Sequence, residues 1–479
     1  MSENSRAAPA RLFARLNPGV SLKEGAGGVL SALFDGQTLL LGRFSATALR
    51  GADALATGLP LSSAREGEAP EEKELRALVE RLALHGLVEY RLARAPDGPD
   101  LVTIEPQMRD YRPNIEKLHE MRRYILSRFA TLRRRGEDMV LESPLSGAAI
   151  RLGDGGAIGA VARLSKPTSL AELSADSGFP GEAFLGLLVD CKMAFTPDPG
   201  KGLRASEGDE ALALWEVHDL LFHVRSTNGR HANPTGGLYA QAHLAPQPPA
   251  VRPAWPGPAI DLDRFAATAD SDVAALLRRR HSDRVFDDAH PITLAEVARF
   301  LDGAARICAR RTFRDDHGGE TEIAARPYPS GGASYELEFY LAVDRCDGLP
   351  RGFYHYDADR HALVAIGATE RQVGAMIDDG QFAMGAPRPP QIMITLAARF
   401  GRVSWKYSGF AYSLVLKHVG VVMQTLYLMA TDMELGACAI GAGDIDLFAR
   451  MTGLPFHVEG AVGQMAIGRA AADSRDHEG

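Results

Sequence analysis

Apolar positions recur with helical spacing at Leu75, Leu78, Val79 and Leu82, directly after the acidic opening Glu71-Glu72-Lys73-Glu74. This pattern predicts a helix, with Gly86 closing it. Residues 87–92 then alternate as a strand, and a helix followed at once by a strand is the second half of a winged-helix unit. A basic connector over 114–135 is expected to be helical. Beyond it the arrangement recurs: strand-like residues at 139–152, a short helix over 169–173, a turn at 178–181 and a helix over 182–193. That is a helix-turn-helix outline. Another apolar helical run covers 212–225. It is followed by six prolines within residues 246–258, which cannot form helix or central strand. The main domain boundary is placed at that extended stretch.

From residue 261 the pattern is α+β. Residues 336–343 alternate as a half-buried strand, with Tyr335, Leu337, Phe339, Leu341 and Val343 on one face. Residues 353–356 and 362–366 flank a polar turn and predict a hairpin. Further strands are expected at 391–397, 436–440 and 460–467, with a short helix opened by Asp444 and closed at Gly453. The longest helix is expected over 409–432. It is apolar on most sides, but Ser413, Lys417, Gln424 and Thr431 form one polar line and His418, Thr425 and Asp432 a second. Charges on such stripes argue against a bilayer span and for a domain core or a subunit interface. The domain plan is therefore 1–105 and 106–200 as two winged-helix-like parts, 201–260 as helix and linker, and 261–479 as an α+β domain.

Composition narrows the function classes. A net charge of −8 gives no overall attraction to nucleic acid or anionic membrane. The candidate reading helix at 181–193 offers only Lys192 against Glu182 and Asp190, which suits peptide or subunit docking better than DNA. Cys191, Cys308, Cys346 and Cys438 are scattered without CxxC spacing, and His218 and His223 are five apart without an HExxH. Neither a disulfide framework nor a metal site is expected. Residues 1–17 carry Arg6, Arg11 and Arg15 and no apolar core of a secretory signal, so a cytoplasmic protein is expected.

Three pieces carry candidate chemistry. The first is Arg278-Arg279-Arg280-His281-Ser282-Asp283-Arg284-Val285-Phe286, after a helix with Ser271 as its N-cap. Arginines in a last helical turn complement the helix dipole; guanidinium forks with a hydroxyl also suit a phosphate monoester. The second is Pro329-Ser330-Gly331-Gly332, whose glycines admit close approach of a ligand to the backbone. The third is the small-residue run Gly436 to Gly443 with the later Gly468-Arg469. No GxGxxG follows an early strand of this domain, so a dinucleotide-binding fold has little support.

In order and spacing these pieces resemble the nitroreductase-fold flavoproteins over most of 270–470. The resemblance implies FMN, with its phosphate held by Arg280, His281, Ser282 and Arg284, and with Arg469 joining them from the far end of the domain. It implies ring contacts from Pro329, Ser330, Gly331 and Gly332, and from the late loop Ile440, Gly441 and Ala442. It also implies a homodimer with FMN at the interface, where the long helix would fit. Within that fold the run from Tyr328 to Leu341, and Ser404-Trp405-Lys406-Tyr407-Ser408, resemble the SagB-type dehydrogenases, the azoline oxidases of thiazole- and oxazole-modified peptides. That likeness implies catalytic roles for Lys406 and Tyr407, an azoline-containing peptide substrate, a cyclodehydratase partner, and N-terminal domains that engage the peptide.

The chemistry then required is loss of a hydride to the flavin and of a proton to a base, with oxygen reoxidising the flavin. Either a tyrosinate favoured by the neighbouring cation or a desolvated lysine could serve as that base. Adjacent residues do not face each other on a regular helix or strand, so the two roles stay open. A NAD(P)H-dependent nitro- or quinone reductase of the same fold is the first alternative. A non-catalytic docking protein built on the winged helices is the second.

Overall fold

The computed structural model describes residues 9–472 apart from 35, 62–68, 110, 174–178, 208, 234, 240, 241, 245, 253, 255, 266–270, 315–319 and 442. Part of the expected turn at 178–181 therefore lies outside the described residues. The chain forms two compact units, Met1–Arg225 with Arg230–Ala232, and Ser226–Gly229 with Asn233–Gly479. The division precedes the proline-rich stretch at which the sequence reading placed it. The reason is local: Asn228 N–H donates to the Gly443 carbonyl and Ile445 N–H to the Asn228 carbonyl, so the chain already belongs to the second unit at that point.

The first unit has one core rather than two. A seven-stranded antiparallel sheet runs in the order Leu59–Pro60, Arg11–Leu16, Val88–Ala93, Val102–Pro106, Ala148–Leu152, Asp138–Glu142, Thr131–Arg135. The pairing of Val102–Pro106 with Ala148–Leu152 carries this sheet across the expected boundary near residue 105. Leu82, Tyr90, Ile104, Ile150, Phe184 and Leu187 consequently share one hydrophobic cluster. Within it a chain order occurs twice. Strand Arg11–Leu16, helix Ala46–Ala52, strand Leu59–Pro60, helix Pro70–Leu84 and strand Val88–Ala93 form the first copy. The second is Arg123–Leu126, Gly155–Arg163, Thr168–Ser169, Gly181–Asp190 and Ala194–Phe195. In both, the first strand lies between the two-residue strand and the last one, antiparallel to each.

Two local expectations fail here. Residues 114–135 are not helical: Arg123–Leu126 and Thr131–Arg135 are strands, and Arg133 and Arg135 pair with Glu142 and Glu105 across the sheet. Cross-strand charge pairing explains the basic run that suggested a solvated helix. The run 212–225 is interrupted, with a 3-10 turn at Glu210–Leu214 and the helix only from Val217 to Arg225.

The second unit is a six-stranded antiparallel sheet in the order Ala362–Ile366, Gly352–Asp357, Leu337–Val343, Ile392–Arg399, Glu459–Arg469, Leu435–Ile440. Helices cover both of its faces. Helix Glu370–Met384 brings Gly380 against Met393, while helix Ala411–Asp432 brings Val419 and Met423 against Gly463. Met393 and Gly463 point to opposite faces, because Gly463 pairs with Leu396, three residues along the strand. This double cover corrects the half-buried expectation for Leu337–Val343, whose Tyr340 and Ala342 are buried as fully as Phe339 and Leu341. Helix Ala411–Asp432 is long and apolar enough to cross a membrane by length and composition alone. Here it packs Val415, Val419, Val422 and Leu426 inward and leaves Ser413, Lys417, Gly420 and Gln424 exposed.

Gln391, with no exposure, ties the start of this unit to its end. Its Oε1 accepts from the N–H groups of Ile292 and Arg469, each at 2.9 Å, and its Nε2 donates to the Asp287 carbonyl at 2.7 Å. Gln391→Leu nearly keeps the volume and removes this partner from three backbone groups, the buried Ile292 N–H among them. The expected loss is about 2–4 kcal/mol in urea unfolding of the full chain; a loss below about 0.5 kcal/mol would show that these bonds are not what holds the segment.

Candidate functional site

The arginine-rich segment begins where helix Asp272–Arg279 ends, and Ser271 caps that helix through its hydroxyl, as expected. The chain then runs extended between two strand ends. Asp283 N–H donates to the Ala437 carbonyl, Asp287 N–H donates to the Arg469 carbonyl, and Phe286 bridges Ala470. Phe286 needs the glycines around it. A Cβ on Gly436 would lie 3.3 Å from its ring, and one on Gly468 would lie 2.8 Å away. The small residues of the third motif therefore seat this segment as well as leaving room for a ligand.

The segment's polar groups divide. Arg278, Arg279, Arg280 and His281 line a pocket of about 400 Å³ that Tyr427 and Thr431 of the long helix also line. The Arg280 guanidinium lies 5.1 Å from the centre of the Tyr427 ring. Ser282 shares a 2.8 Å hydrogen bond with the Tyr427 hydroxyl, which also accepts from Ala439 N–H at 2.7 Å. Arg284 is exposed, and its charge acts on Cys438: burial pushes that thiol up, and Arg284 pulls against it. His281 bonds to the buried Asp283 at 3.1 Å.

The second motif is a strained turn. Gly332, Ala333 and Tyr335 have φ of 60°, 54° and 42°, left-handed positions interrupted by a right-handed Ser334, and two of the three carry side chains. Gly331 N–H donates to His418 Nε2 at 2.7 Å, and His418 Nδ1 lies 2.7 Å from Glu336 Oε1. Glu336 has no exposure and His418 about 7 %. The Ser330 hydroxyl accepts from Tyr335 N–H, and the Ser334 hydroxyl donates to the Gly331 carbonyl.

Lys406 and Tyr407 meet this turn. They follow the short helix Gly401–Ser404, and both of their N–H groups donate to the Val403 carbonyl. Being past the helix end, they escape the geometry that keeps adjacent side chains apart. Lys406 Nζ lies 5.5 Å from the centre of the Tyr407 ring. A Cβ on Gly332 would lie 2.5 Å from Tyr407 Oη and 2.7 Å from Lys406 Nζ. Both tips thus rest on the face of Gly332, and a side chain there would displace them. Arg402 completes the junction by donating twice to the Ser334 carbonyl, at 3.1 Å each.

The third motif is reached in part. Ile440 ends strand Leu435–Ile440 and is buried, Gly441 is exposed with open space at its Cβ position, and Ala442 lies outside the described residues. The Arg469 guanidinium is bound to Glu296 at 2.7 Å, and Glu296 closes the capping box of helix Leu294–Ala305. That helix and Glu370–Met384 were missed in the sequence, although Thr293-x-x-Glu296 and Thr369-x-x-Gln372 are capping-box signatures. Glu336, His418, Tyr427 and Gln391 were also missed as site residues. Each acts through a partner at least 80 residues away or in another element, which spacing along the chain does not reveal.

Comparison with known proteins agrees with this architecture. Residues 277–469 match the nitroreductase family model, and residues 124–232 match the model of the cyanobactin oxidase ThcOx. A protein of Methanocaldococcus jannaschii named as a nitroreductase is 30 % identical over 167 residues, which is 35 % of this chain and 77 % of that protein. Similar solved structures include a protein of Ralstonia eutropha named as a nitroreductase, at 23 % identity and a TM-score of 0.33, covering 43 % of this chain and 87 % of that one. Another is the Escherichia coli microcin synthetase McbBCD complex with truncated pro-MccB17 bound. It has 18 % identity and a TM-score of 0.40, and the match covers 55 % of this chain and 97 % of that one.

The Glu296 carboxylate accepts from Thr293 N–H and Oγ1 as well as from Arg469. Burial would raise its pKa, but these donors and the Arg469 charge outweigh burial and hold it below the ordinary 4.5. A carboxyl depressed in this way stabilises the fold fully above its unfolded value and loses that contribution as pH falls through its folded value. Wild type is therefore expected to lose stability more steeply than Glu296→Gln as pH falls below about 4.5 in urea unfolding. Parallel curves would contradict the ion pair.

Proposed function

The chain belongs to the nitroreductase family and is an oxidoreductase, and we propose that it uses FMN to oxidise thiazoline or oxazoline rings in a ribosomal peptide to the aromatic azoles. The observation that carries this reading is the contact of the Lys406 and Tyr407 tips with Gly332, which joins a proton-handling pair to the turn expected to face the flavin ring. The ThcOx-like stretch at 124–232 supports a peptide-sized substrate, with the first unit docking the peptide and a cyclodehydratase supplying it.

The donor set fits the cofactor. Two guanidinium groups and a hydroxyl, from Arg280, Arg284 and Ser282, suit a phosphate dianion, with His281 beside them. The turn Pro329–Gly332 and the open face at Gly441 suit a flat ring. Bound FMN would supply the two-electron acceptor, with oxygen taking the electrons onward. Lys406 and Tyr407 would orient the azoline over Gly332 and take the proton from the ring carbon next to the one that loses hydride. The positive charge of Lys406 would steady negative charge developing at that carbon. The exposed line Ser413, Lys417, Gly420 and Gln424 of the long helix is where a second copy of the chain would pack to complete the cofactor site. A second reading, NAD(P)H-driven reduction of nitro compounds or quinones, is favoured by the name of the Methanocaldococcus relative. Rapid NADPH consumption by a yellow protein that leaves azoline peptides unchanged would select it.

Lys406→Ala and Tyr407→Phe are expected to retain FMN and to lose azole formation by roughly 100-fold or more, measured by mass spectrometry of the peptide. The larger loss identifies the base, and unchanged turnover in both rejects the assignment. Arg284→Ala is expected to weaken FMN binding by about 2 kcal/mol, or roughly thirtyfold, in a fluorescence titration. Unaltered affinity would remove Arg284 from the phosphate site.

A further inference from the structure

We infer that Glu336 and His418 are a positioning pair for the reaction, setting Lys406 and Tyr407 through the backbone of Gly331 and Gly332; the inference rests on the azoline-oxidising reading above. Among the described residues no hydrogen bond or ion pair joins either residue to the Lys-Tyr pair, and their effect passes through three steps.

The first step is the proton on His418. A backbone N–H can only donate, so the 2.7 Å contact from Gly331 requires His418 Nε2 to be an unprotonated acceptor. The imidazole proton is therefore on Nδ1 and donates to Glu336 Oε1, also at 2.7 Å. The buried carboxylate fixes the tautomer, and the tautomer in turn fixes the Gly331 amide.

The second step is backbone conformation. Left-handed φ at residues bearing side chains persists only where surrounding contacts over-determine it. At Gly332, Ala333 and Tyr335 those contacts are the His418 acceptor on one side, Arg402 on the Ser334 carbonyl on the other, and the Ser330 and Ser334 hydroxyls between them. Glu336 reaches two of these restraints, because the Ser330 hydroxyl also donates to its second oxygen at 3.4 Å.

The third step is the catalytic pair. The Lys406 and Tyr407 tips rest where a side chain on Gly332 would collide with them. If the turn relaxes from its left-handed form, the surface under both tips moves and the pair loses its shared support. The expected phosphate contacts at Arg280–Arg284 lie outside this turn, so FMN is expected to stay bound through them even if its ring contacts at the turn loosen.

The test compares FMN-loaded full-length wild type, His418→Gln, and the double variant Glu336→Gln/His418→Leu. Gln at 418 can still donate to Glu336 and accept from Gly331; the double variant has no acceptor and no stranded charge. Hydrogen exchange of peptides covering 328–336 reads the turn, and peptide turnover reads the pair. In the double variant, exchange is expected to quicken by at least roughly tenfold, and kcat to fall by roughly 100-fold with KM and FMN occupancy nearly unchanged. His418→Gln is expected to restore most of both. Wild-type kcat in a double variant with rapid exchange would overturn the inference. So would equal losses of kcat, KM and FMN in both variants, since that is the signature of core damage. Should the double variant not fold, Glu336→Asp withdraws the carboxylate by one methylene and carries the same readouts. A wild type that ignores azoline peptides would defeat the proposed reaction, whereas protected exchange at Gly331 lost in the variants would still show the backbone restraint.

Discussion

A carboxyl group without access to water, Glu336, links three elements of the second unit. Burying an ion costs several kcal/mol unless its oxygens are satisfied, and here the partners come from separate elements. His418 arrives from the long helix, and Ser330 from the turn that precedes the strand. Satisfying one charge therefore fixes helix, turn and strand relative to one another. It also leaves a backbone that no isolated tetrapeptide would adopt, with Gly332 presented to Lys406 and Tyr407.

The arginine-rich segment is held by a different kind of constraint. There the restraints are neutral and backbone-directed: Gln391 links residues 287, 292 and 469, and Phe286 lies on glycines of two strands. Such a frame positions the arginine segment through backbone groups and apolar packing. Arg469 is used differently. Its pairing with Glu296 closes the start of helix Leu294–Ala305 and so steadies the same frame from below.

Much of this was legible in the chain itself. The apolar run at 391–397, the Asp444 cap, the Gly453 stop and the Ser271 cap depend on residues within one element, and the structure has all of them. The motifs at 280–286, 329–332 and 406–407 could be singled out because each is contiguous. What escaped notice is of another kind. Glu336 looked like the polar face of a half-buried strand, because nothing local shows that helices cover both faces. Arg133 and Arg135 fell within an expected basic helix, because their carboxylate partners stand on other strands. His418 was visible as a polar residue on an apolar helix, but its partner lies 82 residues earlier. The repeated strand–helix–strand order of the first unit was traced only faintly, since the two-residue strands Leu59–Pro60 and Thr168–Ser169 carry no pattern of their own.

The central claim is that an FMN-loaded protein removes two hydrogens from an azoline ring. It is tested most directly by incubating the purified, flavin-reconstituted chain with oxygen and a short synthetic peptide bearing a single thiazoline, without NADPH. The account predicts conversion to the thiazole, seen by mass spectrometry as the loss of two hydrogens, with hydrogen peroxide formed in equal amount. An untouched peptide under these conditions, with rapid turnover of NADPH and a quinone in a parallel assay, would contradict it.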